Sequence, residues 1–328
     1  MDDVLDGKVV LVTGGTGSFG TKFAEVLLKS HNPKSIRVYS RGELKQVEME
    51  RKLGQPKVRF LVGDVRDRER LYRAMNGVDI VVHAAALKHV PVCEYNPMEA
   101  VKTNVHGAEN VIDAAIDNGV EKVIALSTDK AVQPVNLYGA TKLVAEKMFV
   151  QANAYVGMRK TRFSCVRYGN VIGSSGSVVP LFAKQKEKGE VTITDERMTR
   201  FWITLEEGVA LVLKSIELMK GGEIFVPRIP STKITELADV MAPGAKKKVI
   251  GIRPGEKLHE VLITQDEARH AKKVDGTFII EPEHAFWDVK NHVKGVPLPE
   301  GFSYSSDNND WWLAKDELKK VLKKEGWL

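Results

Sequence analysis

Near the start of the chain stands Val9-Val10-Leu11-Val12-Thr13-Gly14-Gly15-Thr16-Gly17-Ser18-Phe19-Gly20. Its apolar, β-branched beginning predicts a buried strand. Gly14, Gly17 and Gly20 keep threefold spacing where that strand gives way to a helix. Backbone N–H groups at such a helix N-terminus bind a dinucleotide pyrophosphate. The segment therefore predicts a dinucleotide-binding βα unit, with Thr16, Ser18 and Phe19 completing the loop.

Short β-branched runs alternate with longer amphipathic ones through the first half of the chain. The predicted strands are Val9–Val12, Ile36–Tyr39, Val58–Val62, Ile80–Val82, Val123–Leu126 and Phe163–Val166. The predicted helices lie near 18–30, 43–53, 67–75, 97–118 and 137–156. This alternation predicts an α/β fold, a Rossmann-like doubly wound parallel sheet that binds ligands at the carboxyl ends of its strands.

The alternation becomes irregular after Gly169. A Gly/Ser turn at 173–177 and a helix over 178–188 precede a further helix near 206–220 and a strand at Ile224–Val226. We therefore expect two interleaved domains. The dinucleotide-binding domain takes 1–172 and about 199–229, and a smaller α/β substrate domain takes about 173–198 and 230–328.

Charge and hydropathy exclude several classes of protein. The chain has 328 residues, of which 43% are apolar, and a net charge of +6. The basic residues are scattered, and no nucleic-acid motif accompanies them, so we expect no nucleic-acid partner. No apolar stretch reaches the ~20 residues that a membrane-spanning helix needs. Residues 1–4 are acidic rather than basic, so no secretory signal is expected and a cytoplasmic location is predicted.

Cysteines and histidines do not predict a metal site. Cys93 and Cys165 are the only cysteines, too few for a disulfide framework, which favours a reducing compartment. No carboxylate or cysteine completes a set with His83, His89 and His106 at ligand spacing. We predict that no metal is bound.

The end of the second strand bears on which dinucleotide is bound. An NAD site places a carboxylate there, whereas this chain has Ser40-Arg41, with Lys45 one turn into the next helix. Cations and a hydroxyl suit a 2′-phosphate, so NADP is predicted, with Glu43 and Leu44 also lining the site. The alternative is a solvated helix start, and Glu43 keeps NAD open.

Further cofactor and substrate contacts are expected at the next two strand ends. Asp64-Val65 follows the third strand and suits the adenine edge, although a helix cap is an equal interpretation of Asp64. Ala84 begins an Ala84–Ala86 run that leaves room for a cofactor or serves tight packing. Lys88 is placed to reach an anionic substrate, or is an ordinary surface lysine.

Thr128-Asp129-Lys130 follows the fifth strand, and Tyr138 and Lys142 begin the next helix. A four-residue step puts Tyr138 and Lys142 on one helix face, where the ammonium is expected to lower the pKa of the phenol. At the carboxyl end of a strand in a dinucleotide fold, this group is predicted to be catalytic. Asp129 has the alternative role of a cap.

These residues resemble the extended short-chain dehydrogenase/reductases. Lys130 stands where retaining nucleotide-sugar 4,6-dehydratases have Glu, which is typical of the inverting UDP-N-acetylglucosamine 4,6-dehydratases. Asn136-Leu137-Tyr138-Gly139-Ala140-Thr141-Lys142 looks like the form that begins pseudaminic acid synthesis. The resemblance extends over Ala84–Pro91, Arg167–Val171, Met198–Phe201, Arg253–Glu260 and Tyr304–Ser306. Ser175 departs from the family, which usually has arginine there.

The resemblance implies a mechanism. Tyr138, assisted by Lys142, takes the hydroxyl proton at carbon 4 as NADP⁺ accepts hydride, with Thr128 beside them. Lys130 then removes the carbon 5 proton while Asp129 protonates the leaving carbon 6 hydroxyl. The product is UDP-2-acetamido-2,6-dideoxy-β-L-arabino-hex-4-ulose. For this, Lys130 must be partly neutral, which burial and the Lys142 charge are expected to favour.

The resemblance also implies substrate contacts. Arg200 and Arg253 would bind the pyrophosphate of UDP-N-acetylglucosamine, and Glu256 the ribose hydroxyls, with Asn170 and Thr199 beside them. Val171 would contact the cofactor, and Ser305 is a weaker substrate candidate. For each arginine, a surface salt bridge is the alternative. The family further implies a homo-oligomer, with a hexamer as its usual form.

Two rival functions stay open on the sequence. A UDP-sugar 4-epimerase shares the glycine loop and the Tyr138/Lys142 pair but has no use for Asp129-Lys130. A catalytically silent NADP-binding regulator would not need Tyr138, Lys142 and Lys130 together. Loss of water from the substrate distinguishes the dehydratase from both.

Overall fold

The structure, a computed structural model, describes residues 3–174, 176–283, 286–287 and 293–328. Its strands are β1 (Val9–Thr13), β2 (Ser35–Ser40), β3 (Val58–Val62), β4 (Ile80–His83), β5 (Lys122–Thr128), β6 (Arg162–Tyr168), β7 (Asn170–Val171), β8 (Glu190–Ile193), β9 (Thr199–Ile203), β10 (Ile224–Pro227), β11 (Ser231–Lys233), β12 (Lys246–Val249), β13 (Val261–Ile263), β14 (Ala271–Val274), β15 (Thr277–Ile280), β16 (Val296–Pro297) and β17 (Tyr304–Ser305).

Its α-helices are α1 (Ser18–Ser30), α2 (Glu43–Leu53), α3 (Arg68–Met75), α4 (Val90–Tyr95), α5 (Pro97–Val101), α6 (Gly107–Asp117), α7 (Leu137–Gln151), α8 (Val178–Lys186), α9 (Leu205–Leu218), α10 (Ile234–Met241), α11 (Gln265–Ala268) and α12 (Lys315–Lys324). A π-helical turn covers Lys102–His106, and 3-10 turns cover Asp129–Ala131 and Ala152–Ala154.

A ten-stranded sheet forms the main layer, in the order β16-β14-β15-β10-β6-β5-β4-β1-β2-β3. The strands from β3 to β10 in that order pair in parallel. Every residue of β1 is buried, as the central strand of a sheet covered by helices on both faces should be. The predicted doubly wound parallel sheet is confirmed. Its topological switch point lies between β1 and β4, where such sheets bind ligands.

A second, smaller core lies beside the first. It packs Val179 and Phe182 of α8 against Trp202, Leu237 and Leu322, and small sheets β11-β9-β7 and β12-β8 accompany it. The antiparallel strands β14 and β15 instead extend the main sheet, and Phe278–Ile280 belong to the main core. Part of the segment 230–328 therefore packs with the dinucleotide-binding domain rather than with the second core, unlike the expected division.

Local differences from the expected elements have physical causes. The helix expected over 97–118 is interrupted by the π-helical turn at Lys102–His106, which contains Asn104. The side chain of Asn104 bonds the backbone N–H and C=O of Leu87 and the hydroxyl of Thr141. Ser175, where the sequence departs from the family, lies outside the described residues. Over the described ranges, none of the helices is long and apolar enough to cross a bilayer.

Candidate active site

The glycine loop between β1 and α1 brings two backbone segments into close contact. Gly14 has a φ of +65°, and a Cβ there would lie 2.9 Å from the Ala85 backbone. A Cβ on Gly20 would lie 2.5 Å from the Cα of Gly15. Only glycine fits these positions, so the loop can pack against the Ala84–Ala86 segment at the end of β4.

The N-terminus of α1 suits an anion. Gly17 caps the helix without a side-chain hydrogen bond, and the first turn of α1 contains no acidic residue. Its N–H groups and the positive end of the helix dipole are thus available to a phosphate. A cavity of about 440 Å³ opens there, lined by Thr16, Gly17, Ser18, Lys45 and other residues.

The end of β2 places cations near that cavity. Arg41 exposes 56% of its side chain, and its Nη1 lies 4.0 Å from Oδ2 of Asp64. The hydroxyl of Ser40 accepts a hydrogen bond of 2.9 Å from Gln46. Residues Glu43, Leu44 and Lys45 are exposed, and Val65 is buried. The cap of α3 is Asp67, which accepts from the Arg70 backbone, so the alternative that Asp64 caps this helix is wrong.

The turn after β5 gathers the predicted acid and base. Asp129 is completely buried, and its Oδ1 accepts from the Thr128 hydroxyl at 2.9 Å and from Lys130 Nζ at 3.0 Å. Lys130 Nζ also lies 3.4 Å from Oδ1 of Asn170 and 3.3 Å from Oε1 of Glu260. Asp129 Oδ2 is buried without a hydrogen-bond partner among the described residues. That oxygen is therefore available to a ligand.

The charges around this turn correct the expectation for Lys130. Burial lowers the pKa of the Lys130 amine, but the carboxylates of Asp129 and Glu260 outweigh it and raise that pKa overall. The repelling charge comes from Arg200 rather than from Lys142. Burial raises the pKa of the Asp129 carboxyl. Lys130 is therefore an ammonium in the free protein, and the expected partial neutrality is wrong for this state.

Helix α7 carries the predicted tyrosine and lysine. Asn136 caps it by accepting from the Gly139 backbone at 2.7 Å, and Tyr138 and Lys142 are both buried. Burial raises the pKa of Tyr138 to about 12, against the opposing effects of the Lys130 charge and a Thr128 hydrogen bond. Burial lowers the pKa of Lys142. The expectation that Lys142 lowers the pKa of the Tyr138 phenol towards neutral pH is therefore wrong for the protein alone.

Two of the predicted substrate residues have other partners. Arg200 donates to the backbone carbonyls of Thr199, Lys257 and Leu258 and exposes only 9% of its side chain. The hydroxyl of Thr199 bonds His259 at 2.8 Å and Ser306 at 2.7 Å. Their polar atoms are engaged inside the protein, so the structure argues against direct substrate contacts.

The remaining substrate candidates are more accessible. Arg253 exposes 50% of its side chain and lies 3.8 Å from Glu256, whose Oε2 has no hydrogen-bond partner among the described residues. Partial desolvation and the Lys130 charge lower the pKa of Lys88, which places Lys88 near the turn Asp129–Ala131. Val171 pairs with Ile203 beside Asn170. The Ser305 hydroxyl donates to Asp307.

Glu260 and Lys257 also contact the turn, although no sequence pattern singled them out as site residues. Both stand in the Arg253–Glu260 segment, about 130 residues from the turn they contact. Lys257 Nζ donates to the backbone carbonyls of Asp129 and Val132. An Arg-Pro-Gly-Glu-Lys run resembles any charged loop, so local pattern alone could not identify these contacts.

A family profile described as "Polysaccharide biosynthesis protein" matches residues 10–282. The chain belongs to this family. A UDP-N-acetylglucosamine 4,6-dehydratase (inverting) from Campylobacter jejuni subsp. jejuni serotype O:2 is 55% identical over 96% of this chain and 97% of that protein. The resemblance to the inverting UDP-N-acetylglucosamine 4,6-dehydratases, predicted from the sequence motifs, is thereby confirmed.

Two further similarities complete the comparison. A UDP-glucose 4-epimerase from Rickettsia felis is 46% identical over 96% of this chain and 95% of that protein. The X-ray structure of Pen from Bacillus thuringiensis superposes with a TM-score of 0.91 at 39% identity, covering 99% of this chain and 100% of that one. The family fold therefore extends over essentially the whole chain.

Proposed function

We propose that this protein is an inverting UDP-N-acetylglucosamine 4,6-dehydratase, a hydro-lyase. The name of the Campylobacter relative, at 55% identity, supports this substrate and reaction. One structural observation carries the proposal. Nζ of Lys130 lies 3.0 Å from Oδ1 of Asp129, on the turn that also faces Tyr138. An amine and a carboxyl beside a redox tyrosine provide the base and acid that elimination of water requires.

The cofactor proposed is NADP, within the nicotinamide dinucleotides that this fold binds. The glycine loop, the available N-terminus of α1 and the small Ala84–Ala86 segment fit the pyrophosphate and the nicotinamide half. Arg41 and Lys45 fit a 2′-phosphate, since both are exposed cations, the first directly after β2 and the second in the first turn of α2. When bound, the cofactor would supply a hydride acceptor for the oxidation at carbon 4 and the hydride that reduces carbon 6.

The residues of the chain divide the proton transfers among them. Tyr138 takes the proton of the carbon 4 hydroxyl, with Lys142 on the same buried face of α7. The resulting ketone acidifies the carbon 5 proton, which the Lys130 amine removes. Asp129 gives a proton to the carbon 6 oxygen, which leaves as water while the carbon 5–carbon 6 double bond forms.

Substrate binding is assigned to Lys88, Asn170, Arg253 and Glu256. Arg253 is exposed enough to bind the pyrophosphate, and Glu256 has a buried oxygen that no described residue pairs with and that suits a ribose hydroxyl. Asn170 lies beside Lys130, where it can orient the hexose. The proposed homo-oligomer and the link to pseudaminic acid synthesis rest on the family resemblance, and the proposed cytoplasmic location rests on the acidic first residues and the two cysteines.

The rickettsial relative named as an epimerase makes that activity the second candidate. An epimerase needs chemistry only at carbon 4, so it leaves the buried Asp129 and its 3.0 Å contact with Lys130 without a role. A catalytically silent regulator would leave the same pair unexplained. The dehydratase gives both Asp129 and Lys130 a chemical role, and we therefore favour it.

The test is incubation of the purified protein with UDP-N-acetylglucosamine and NADP in deuterium oxide. We expect a product lacking one water, with deuterium at carbon 5 and a carbon 6 methyl signal in the proton NMR spectrum. A product of unchanged mass, inverted at carbon 4, would identify an epimerase instead. Lys130→Ala should abolish deuterium uptake while the protein stays folded and binds NADP.

A further inference from the structure

The segment Arg253–Glu260 contacts the turn that carries the acid and base, and also the N-terminus of α7 that follows it. Asn136 donates to the Gly255 carbonyl at 2.8 Å, and Lys257 donates to the carbonyls of Asp129 and Val132. Glu260 contacts Lys130 itself, at 3.3 Å. The turn is thus held through its backbone and through its lysine side chain by one remote segment.

Glu260 is rigidly held. Its backbone N–H donates to the Ser306 hydroxyl at 2.9 Å, and its carbonyl accepts from the Ser306 backbone at 2.8 Å. Its side chain is 3% exposed and lies between Lys130, Arg200 and Lys257, at 3.3, 3.8 and 3.9 Å. A buried carboxylate among three cations remains ionised, and those cations lower its pKa despite its burial.

The surroundings of Lys130 match an ammonium. Asp129, Asn170 and Glu260 offer three acceptor oxygens at 3.0, 3.4 and 3.3 Å from Nζ, and an ammonium has three donors. For Lys130 to act as a base, one proton must first leave. Asp129 is the nearest acceptor, and its burial favours the protonated form. Transfer of one proton from Nζ to Oδ1 yields an amine and a carboxylic acid together.

We propose that Glu260 is a positioning residue for the elimination step: it fixes the Lys130 ε-group beside Asp129 and sets how the proton shared by that pair is divided. This rests on the proposed dehydratase function. After the transfer, the amine takes the carbon 5 proton and Asp129 gives its proton to the departing carbon 6 hydroxyl. The pair then returns to ammonium and carboxylate, so no proton is gained or lost.

Other groups also act on the charge of Lys130. Asp129 lies on the same turn, Arg200 on β9, Lys257 beside Glu260, Lys88 after β4 and Tyr138 on α7. Of these and Glu260, only Asp129 and Glu260 are carboxyl groups, and both raise the pKa of Lys130. Replacing the Glu260 carboxylate by an amide therefore removes one of two groups that hold the proton on Lys130.

The experiment measures the reactivity of Lys130 with an amine-directed acylating reagent, followed by peptide mass spectrometry, in the protein without substrate. Only a neutral amine reacts, and the Lys130 side chain is 26% exposed. In Glu260→Gln we expect Lys130 to react about tenfold faster or more than in wild type at the same pH, since loss of a contacting charge shifts a pKa by about 1 to 3 units. An unchanged rate would overturn the proposal.

Two variants complete the test. Glu281→Gln removes a partly buried carboxylate, which pairs with Lys272 at 2.8 Å, and should leave the acylation rate of Lys130 unchanged. Glu260→Asp keeps the charge but moves it by one methylene. In this variant the acylation rate of Lys130 should stay near that of wild type, while kcat falls and KM does not change. If Lys130 is acylated as fast in Glu260→Asp as in Glu260→Gln, the faster reaction results from lost packing rather than from lost charge, and the proposal is wrong.

Turnover is measured in parallel. Glu260→Gln should shift the pH profile of kcat to lower pH and slow deuterium uptake at carbon 5 more than reduction of the nicotinamide. An unshifted profile would count against Glu260. Absence of any dehydrated product from wild type would instead refute the proposed function, while the Lys130 reactivity would still report on the contact with Glu260.

Discussion

Arg167 of β6 and Glu146 of α7 form an ion pair in which neither side chain is exposed. Two bonds join them, at 2.5 Å from Nη2 to Oε1 and 3.1 Å from Nε to Oε2. Arg167 also donates to Glu267 and to the Leu262 carbonyl. The guanidinium thus ties the helix that carries Tyr138 to the main sheet and to the segment after β13.

Replacing Arg167 by Met should destabilise the protein by about 3–5 kcal/mol, because Glu146 is left buried without a compensating charge. The midpoint of urea unfolding measures this loss. Arg197→Met is the matched control, since Arg197 pairs with Asp195 at the surface with 72% of its side chain exposed. That variant should leave the midpoint unchanged. Equal effects of the two variants would show that the buried pair has no special weight.

Gly139 lets α7 contact the turn Asp129–Ala131. A Cβ at this position would overlap the backbone carbonyl oxygen of Lys130. Gly139→Ala should therefore displace the turn, destabilise the protein by about 1–3 kcal/mol and strongly reduce dehydration of UDP-N-acetylglucosamine.

Gly208→Ala provides the control for Gly139→Ala. Gly208 lies in α9, and a Cβ there meets no atom of the described residues within 4 Å. Since alanine favours helix over glycine, this variant should be stabilised by about 0.5–1 kcal/mol. Thermal unfolding and product formation are compared in both variants. Full activity in Gly139→Ala would mean that the turn tolerates the displacement.

The fold followed from local patterns because each signal lies within one βα unit. The glycine loop, the apolar strands and the helices α1 and α2 could be predicted from residues a few positions apart. The charge of Lys130 could not, since it depends on Glu260, which the chain brings back after about 130 residues. For the same reason, the sequence did not reveal that backbone carbonyls occupy the donors of Arg200.

Tyr138 should remain a neutral phenol through the neutral and mildly alkaline range. Its burial raises the pKa to about 12, above the usual value of about 10. The raised value means that Tyr138 favours folding below about pH 10 and that this contribution is lost as the pH rises towards 12. The difference in phenolate absorbance between wild type and Tyr138→Phe during alkaline titration measures this pKa.

Lys130→Met tests which charges set the pKa of Tyr138. The Lys130 charge favours the phenolate, so its removal should move the titration of Tyr138 to still higher pH. A midpoint below about 10 in wild type would show that another charge activates the phenol, and Lys142 would regain the role that the sequence suggested.

Arg41 and Lys45 should decide between NADPH and NADH. Arg41 directly follows β2 and is exposed, and Lys45 of α2 lines a cavity together with Thr16 and Ser18. A 2′-phosphate gains charge-assisted contacts there, whereas a ribose hydroxyl does not. Arg41→Ala should therefore weaken NADPH binding by about ten- to a hundredfold, as expected for loss of one charged hydrogen bond of about 1.5–3 kcal/mol, and leave NADH binding nearly unchanged. Isothermal titration calorimetry with each dinucleotide measures both constants.

Lys57→Ala controls for net charge, because Lys57 bonds Asn32 at the opposite end of the strands from Arg41. It should weaken neither dinucleotide. If Arg41→Ala weakens both dinucleotides equally, Arg41 contacts a part that they share, and the 2′-phosphate lies elsewhere. If NADH binds wild type more tightly than NADPH, the exposed Glu43 decides the preference, as a carboxylate at this strand end does for a ribose hydroxyl.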